Sequence, residues 1–248
     1  MTHPFDFDEA FGDDYLFFTR QAFGDDHDDD DAGAVLAHAG LTEGQAVLDA
    51  PCGYGRIAVR LASAGLTVTG VDRSERFLDE ARALASTMGA EVDLHVGDLR
   101  ALPVDGPFDA VVCWFTSFGY FSDEDNRTVL EEFHRVLRPG GTLVIETLSH
   151  DGFVREFTEA PELVVTEFGQ DLMIDRSQFD VENGCVVTHR TTIRGGSRRD
   201  ARYFIRLLTI PEWRAWLGTA GFSNVTFSDR DGDAVDLGTW RIVVRATA

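Results

Sequence analysis

Between residues 46 and 147 short apolar runs alternate with helical patterns, and this rhythm leaves few architectures open. Ala46–Ala50 reads as a strand and Ile57–Ala62 as the helix after it; Leu66–Val71 is a second strand, and Ser74 caps a helix reaching about Thr87. Val92–Val96 and Phe108–Trp114 are a third and a fourth strand. A helix over roughly Glu124 to Leu137 ends at Arg138-Pro139-Gly140-Gly141, which turns the chain into a fifth strand, Thr142–Thr147. Apolar strands separated by helices pair in parallel and need a helix layer on each face. A length of 248 residues suffices for one such core with a small appendage.

After this core the pattern changes. Leu163–Phe168, Leu172–Arg176, Cys185–Ile193 and Ala201–Leu207 read as extended pieces, with Asn183-Gly184 and Gly195-Gly196 as hairpin turns between them. An antiparallel insertion is expected there. Pro211 opens a helix through Trp216, and Val225–Phe227 and Ile242–Val244 read as two closing strands. The division expected is an N-terminal helical lid over residues 1–40, a core over 41–150, a substrate-side insertion over 151–209 and a closing helix and strands over 210–248.

The lid carries Phe5, Phe7, Phe11, Tyr15, Leu16, Phe17, Phe18 and Phe23 among acids, the pattern of one or two short helices with an aromatic face. The acid run Asp25–Asp31 is expected to supply an N-cap for a helix running towards His38. It lacks the glycine and terminal glutamate of a calcium loop.

Charge decides the partners. With 22 basic and 43 acidic residues the formal net charge is -21, which repels nucleic acid and anionic membranes. The one basic cluster, Arg194-Gly195-Gly196-Ser197-Arg198-Arg199, is expected to be a solvated hairpin turn. Every basic residue is arginine, and aspartate outnumbers glutamate, a composition like that of proteins from salt-accumulating halophiles. Cys52, Cys113 and Cys185 lack metal-ligand spacing, so no metal is expected; their odd number and the absence of a secretion signal at Met1-Thr2-His3-Pro4-Phe5-Asp6 favour a cytoplasmic protein.

Chemistry is concentrated at the strand ends. Asp49 ends strand one and is followed by Ala50-Pro51-Cys52-Gly53-Tyr54-Gly55-Arg56, where two glycines let a ligand approach the backbone. Asp72 ends strand two, where a carboxylate can accept from both hydroxyls of a ribose, and Gly97-Asp98 ends strand three. A dinucleotide enzyme shares the glycine turn and the acid on strand two, but a third glycine is missing here. An acid on strand one also suits a sulfonium cofactor with an amino group better than a pyrophosphate.

Residues 46–147 resemble the core of class I S-adenosylmethionine-dependent methyltransferases, through Asp49–Arg56, Asp72, Gly97-Asp98, Phe115–Phe121 and Arg138–Gly141, in the manner of a bacterial and archaeal small-molecule branch. The fold that this implies is α/β: a Rossmann-like seven-stranded, mostly parallel sheet with helices on both faces, plus a small antiparallel β insertion. The resemblance implies that Asp49, Ala50, Gly53 and Gly55 hold the methionine part of S-adenosyl-L-methionine and that Asp72 takes the ribose, with Arg73 beside the adenine. Asp98 and Leu99 would bind the base, Trp114 and Phe115 would line the sulfonium side, and Tyr15 and Arg20 would close over the methionine end. Ala50-Pro51 departs from the commoner glycine in this turn.

On the acceptor side Tyr120 and His150 are the catalytic candidates, with His189, Tyr203 and Arg206 behind them. Arg176, Arg190, Arg202 and Arg206 could meet an anionic substrate, although ion pairs explain them more simply. The expected activity is methyl transfer to oxygen or nitrogen of a small molecule, with a homodimer left open. The alternatives are an inactive cofactor-binding regulatory or assembly protein, favoured if Phe and Trp plug the acceptor side, and more distantly a dehydrogenase.

Overall fold

A computed structural model describes residues 6–157 and 163–248; Phe5 of the aromatic segment lies outside them. The core is a seven-stranded sheet of β1 (Ala46–Asp49), β2 (Thr67–Asp72), β3 (Val92–Val96), β4 (Phe108–Cys113), β5 (Leu137–Leu148), β10 (Ser223–Ser228) and β11 (Arg241–Thr247), in the order β10-β11-β5-β4-β1-β2-β3. The first five are parallel to one another, and the hairpin β10–β11 closes the sheet antiparallel against β5. From β1 the chain passes first to one side, to β2, and later to the other, to β4. The crevice at the carboxyl ends of these strands is where such sheets bind ligands.

Alternation along the strands feeds two apolar layers. Leu48, Val111 and Leu143 pack with Phe133 of α6 (Asp123–Val136) and Trp213 of α8 (Ile210–Thr219). Val47, Val112 and Val144 pack with Val35 of α3 (Asp25–Ala39), Leu61 of α4 (Ala58–Ser63) and Leu78 of α5 (Glu75–Met88). Both faces are thus covered, as the apolar strands require. Strand β5 begins earlier than the sequence suggests: Leu137 pairs with Phe108, and Gly140 and Gly141 bond to Ala248, the residue after the closing strand, so the Arg138–Gly141 turn is part of the sheet.

The insertion is a four-stranded antiparallel sheet of β6 (Leu163–Phe168), β7 (Asp171–Asp180), β8 (Cys185–Arg194) and β9 (Ser197–Arg206). Gly195 and Gly196, with φ of 57° and 75°, make the two-residue turn between β8 and β9, a backbone that other residues resist. A helix absent from the sequence reading, α7 (His150–Phe157), leads from β5 to this sheet.

Two short helices, α1 (Phe7–Ala10) and α2 (Asp13–Ala22), bridge insertion and core. Arg190 Nη1 donates to the Ala10 carbonyl at 2.9 Å, and Arg194 and Arg199 both pair with Asp14. The basic hairpin is therefore docked on α2 through these two arginines, because Asp14 offers it a carboxylate. The acid run is also different from expectation. It lies inside α3, behind Gly24, and its acids at helical spacing face α4 and the glycine turn before it: Arg56 bonds Asp28 (3.2 Å) and Asp31 (2.6 Å), and Arg60 bonds Asp25 (2.9 Å) and Asp29 (2.6 Å). All three cysteines are buried free thiols, and among the described residues no helix is long and apolar enough to cross a membrane.

Candidate active site

A cavity of about 280 Å³ opens at the carboxyl ends of β1, β2 and β4 and under α1 and α2. The turn after β1 forms its floor. Gly55, at φ 82°, leaves no room for a β-carbon, which would come within 2.8 Å of the Ala81 β-carbon. Gly53, at φ 54°, faces open space instead, so a ligand can reach this backbone.

Three carboxylates at the strand ends stand on this wall in distinct states, and Asp8 of α1 lines the cavity with them. Asp72 is 6% exposed and fixed by its own turn: Gly53 N–H donates to one oxygen and Ser74 N–H to the other, each at 2.9 Å. Burial raises its pKa against these two bonds, and each oxygen keeps a lone pair for a further donor. Asp49 is enclosed and pushed up to about 7 by burial, which outweighs the Arg56 charge and the Ala58 N–H; the Asp72 charge adds to the rise. Asp98 is half exposed, and the hydrogen bonds of Arg100 hold its carboxyl low.

Arg56 also lies on the wall, with its guanidinium 4.6 Å from the Phe115 ring centre. Nη1 is taken by Asp28 and Asp31, whereas Nη2 is enclosed with no hydrogen-bond partner among the described residues. Beyond it, Phe115 and Thr116 take left-handed backbone, φ 63° and 57°. Such a conformation costs a non-glycine residue about 1–2 kcal/mol, so something nearby must hold it.

Of the residues expected from the sequence, the cavity wall brings together Tyr15, Asp49, Gly53, Asp72, Arg73, Asp98, Leu99, Trp114, Phe115 and Tyr120. Gly55 stands behind the turn, against Ala81. Ala50 is fully buried in the sheet, its N–H bonded to the Val112 carbonyl, and is not on the wall. Arg20 is not there either: it pairs with Glu80 at 2.7 Å and lies over the Tyr54 ring, because α2 directs it to α5. His150 is also displaced, since the chain turns into α7 at that residue. It bonds Asp151 and packs on Phe179, on the wall of a second cavity of about 600 Å³.

Tyr120 sits among Phe7, Phe11 and Tyr203, and burial raises its phenol well above the usual range, with Tyr203 and Tyr15 adding to the rise. At neutral pH it keeps its proton and is suited to donate a hydrogen bond, not to act as a base. Tyr203 is buried against Arg190, and His189 is exposed. Arg190 and Arg206 are engaged in pairs with Asp175 and with Asp123 and Glu212.

Phe7, Phe11, Tyr54, Arg56, Phe77 and Phe121 line the cavity without having been singled out for it. The aromatic density of the first 23 residues was the signal for Phe7 and Phe11, and the glycine-turn motif Asp49–Arg56 was the signal for Arg56, whose direction is set by the acids of α3.

Residues 47–141 match the family model of a methyltransferase domain. A protein of Geobacillus sp. provisionally called a methyltransferase is 27% identical over 76% of this chain and 78% of its own length. The dTDP-4-amino-2,3,4,6-tetradeoxy-D-glucose N,N-dimethyltransferase of Saccharopolyspora spinosa is 35% identical over 47% of this chain and 46% of its own. Among solved structures, the CcbJ methyltransferase of Streptomyces caelestis superposes with a TM-score of 0.77 at 23% identity, covering 91% of this chain and 92% of that one. An S-adenosylmethionine-dependent methyltransferase of Clostridium acetobutylicum does so with 0.77 at 18% identity, over 94% and 95%.

Proposed function

We infer that this chain, whose fold is that of the class I S-adenosylmethionine-dependent methyltransferases with a four-stranded antiparallel insertion, transfers a methyl group from S-adenosylmethionine to an oxygen or nitrogen of a small molecule. One observation carries the reading. Asp72 is pinned by the glycine turn with both oxygens still able to accept, between Asp49 and Asp98 on the same wall.

The residues present fit the cofactor. Asp72 would take the ribose hydroxyls, Asp49 would face the amino group, and Asp98 with Leu99 would meet the base. The Gly53 backbone leaves space for the methionine part. When bound, the cofactor supplies a methyl group already activated on a sulfonium. The protein then has to align the acceptor and keep water out. Phe7, Phe11 and Phe121 form an apolar wall, and the Tyr120 phenol among them would orient an acceptor as a donor.

The same aromatic wall supports a second reading, a binder without turnover, because Phe7 packs at 5.9 Å from both Tyr120 and Phe121 and narrows the acceptor side. Single-turnover transfer of a labelled methyl group to any member of a small-molecule panel would exclude it. We further propose that the protein acts in the cytoplasm, apart from nucleic acid, and pairs at most with itself. Sedimentation in molar KCl with and without an oligonucleotide checks the partners, and cell fractionation checks the compartment.

The primary test is calorimetric titration with S-adenosylhomocysteine in about 2 M KCl, with Asp72→Ala as control. Micromolar binding that the substitution weakens by a hundredfold or more is expected. A folded wild-type protein that binds nothing would overturn the reading.

A further inference from the structure

Phe115 is held at the cavity wall from behind. Its N–H donates to Glu146 Oε2 at 2.9 Å, and the Thr116 N–H donates to the Glu146 carbonyl at 3.0 Å. Glu146, on β5, is 3% exposed and is paired through both oxygens with Arg241, the first residue of β11. Arg241 Nη2 reaches Oε2 at 2.7 Å and also donates to the Thr116 hydroxyl at 2.6 Å. The Phe115 ring is itself close to two guanidinium groups, Arg56 at 4.6 Å and Arg241 at 5.2 Å, and meets Phe23 edge-on at 5.1 Å.

These contacts converge on the two consecutive residues with left-handed backbone. Neither is glycine, and threonine is branched at the β-carbon, so the segment resists this conformation by itself. Arg241 neutralises the buried carboxylate that accepts the Phe115 N–H, and without it that charge would be buried unpaired, which is unfavourable.

We propose that Glu146 and Arg241 are positioning residues for the cofactor site: they lock the Phe115-Thr116 turn so that the Phe115 ring forms the cavity wall over Arg56. The proposal rests on the cofactor reading above. It makes β11, the antiparallel strand beyond β5, a determinant of cofactor affinity, although Arg241 is not on the cavity wall. Without Arg241 the turn relaxes to ordinary backbone and the ring leaves its place.

The test is a double-mutant cycle read by calorimetry with S-adenosylhomocysteine. Arg241→Met should weaken binding about tenfold or more, Phe115→Leu should do likewise, and the double variant should bind within about twofold of Phe115→Leu alone. Wild-type affinity in Arg241→Met, or losses that multiply in the double variant, would overturn the proposal. Amide hydrogen exchange gives a second readout that needs no cofactor. The Phe115 and Thr116 amides should exchange at least tenfold faster in Arg241→Met, and unchanged rates would refute the lock. Should Arg241→Met not fold, Arg241→Lys, which keeps the charge but lacks the second nitrogen that bonds the other Glu146 oxygen, is read in the same two ways. Wild-type protein that binds no S-adenosylhomocysteine would overturn the cofactor reading, and the exchange rates would still decide whether the lock exists.

Discussion

Asp49 carries a conflict between stability and binding. Its carboxyl is pushed up to about 7 by burial, whereas in the unfolded chain it titrates near the usual value of about 4. Between those values the folded protein holds a proton that the unfolded chain has lost. The stabilising contribution is thus complete below about pH 4 and is lost as pH rises through 7. Three pH units correspond to at most about 4 kcal/mol. Asp49→Asn, neutral throughout, should raise the unfolding midpoint of the ligand-free protein at pH 8 and leave it nearly unchanged at pH 4, as followed by thermal melts. Binding runs the other way, since a cofactor ammonium needs the ionised carboxylate. S-adenosylhomocysteine affinity should fall by up to about tenfold per unit as pH drops below 7, and a flat profile would remove Asp49 from the amino-group role. Asp49 and Asp72 were legible in the sequence because a strand end fixes where its last side chain can point, and Asp98 because it follows β3 by only two residues. Arg20 and His150 were not, because Glu80 and the turn into α7 decide their direction, and neither partner is marked by spacing.

At the scale of elements, α3 is joined by charge as well as by apolar packing to α4, through Arg60, and to the glycine turn before it, through Arg56. Arg56 and Asp31 are both buried and bonded at 2.6 Å, with Asp28 beside them and Arg230 on Asp31 from the far side. Removing one partner of a buried pair leaves the other uncompensated, at about 3–5 kcal/mol. Asp31→Ala should therefore cost about 3 kcal/mol in urea unfolding, while Asp26→Ala, on an exposed residue of the same helix, should cost well under about 1 kcal/mol. Equal effects would show that the pair does not matter. The sequence revealed the parallel core and both glycine hairpins, since apolar period and turn chemistry are local signals. The acid run misled because its partners, Arg56 and Arg60, lie about 30 residues away, and seven consecutive residues rich in aspartate look like a cap or a solvated loop until a basic face is set against them. Strand β5 was read short for a related reason: proline and glycine punctuate a sequence, yet here Ala248 bonds the turn into the sheet.

For the whole molecule the balance of 22 basic and 43 acidic residues sets a limit that no arrangement of pairs removes. Even with every arginine paired to one acid, 21 carboxylates are left, and much of the surface repels itself. Salt acts in opposite directions on these two populations. It weakens exposed pairs such as Arg198–Asp200, which contribute little, and it screens the unpaired excess, as the Debye length shrinks from about 10 Å at 0.1 M to about 3 Å at 1 M. Arginine pairs away from solvent, such as the buried Arg56–Asp31 and the mostly enclosed Arg190–Asp175, are little affected by screening. Screening of the excess therefore wins, and the thermal midpoint should rise by several degrees between 0.1 M and 2 M KCl. Concentrated salt also strengthens apolar burial in general, so the rise alone does not identify its cause. Replacing exposed acids does: Asp30→Asn with Glu131→Gln should raise the midpoint at 0.1 M KCl and have much less effect at 2 M. The same gain at both concentrations would mean that local helix propensity, not net charge, is what the substitutions changed. A midpoint that stays flat or falls with KCl would mean that the surface pairs outweigh the acid excess.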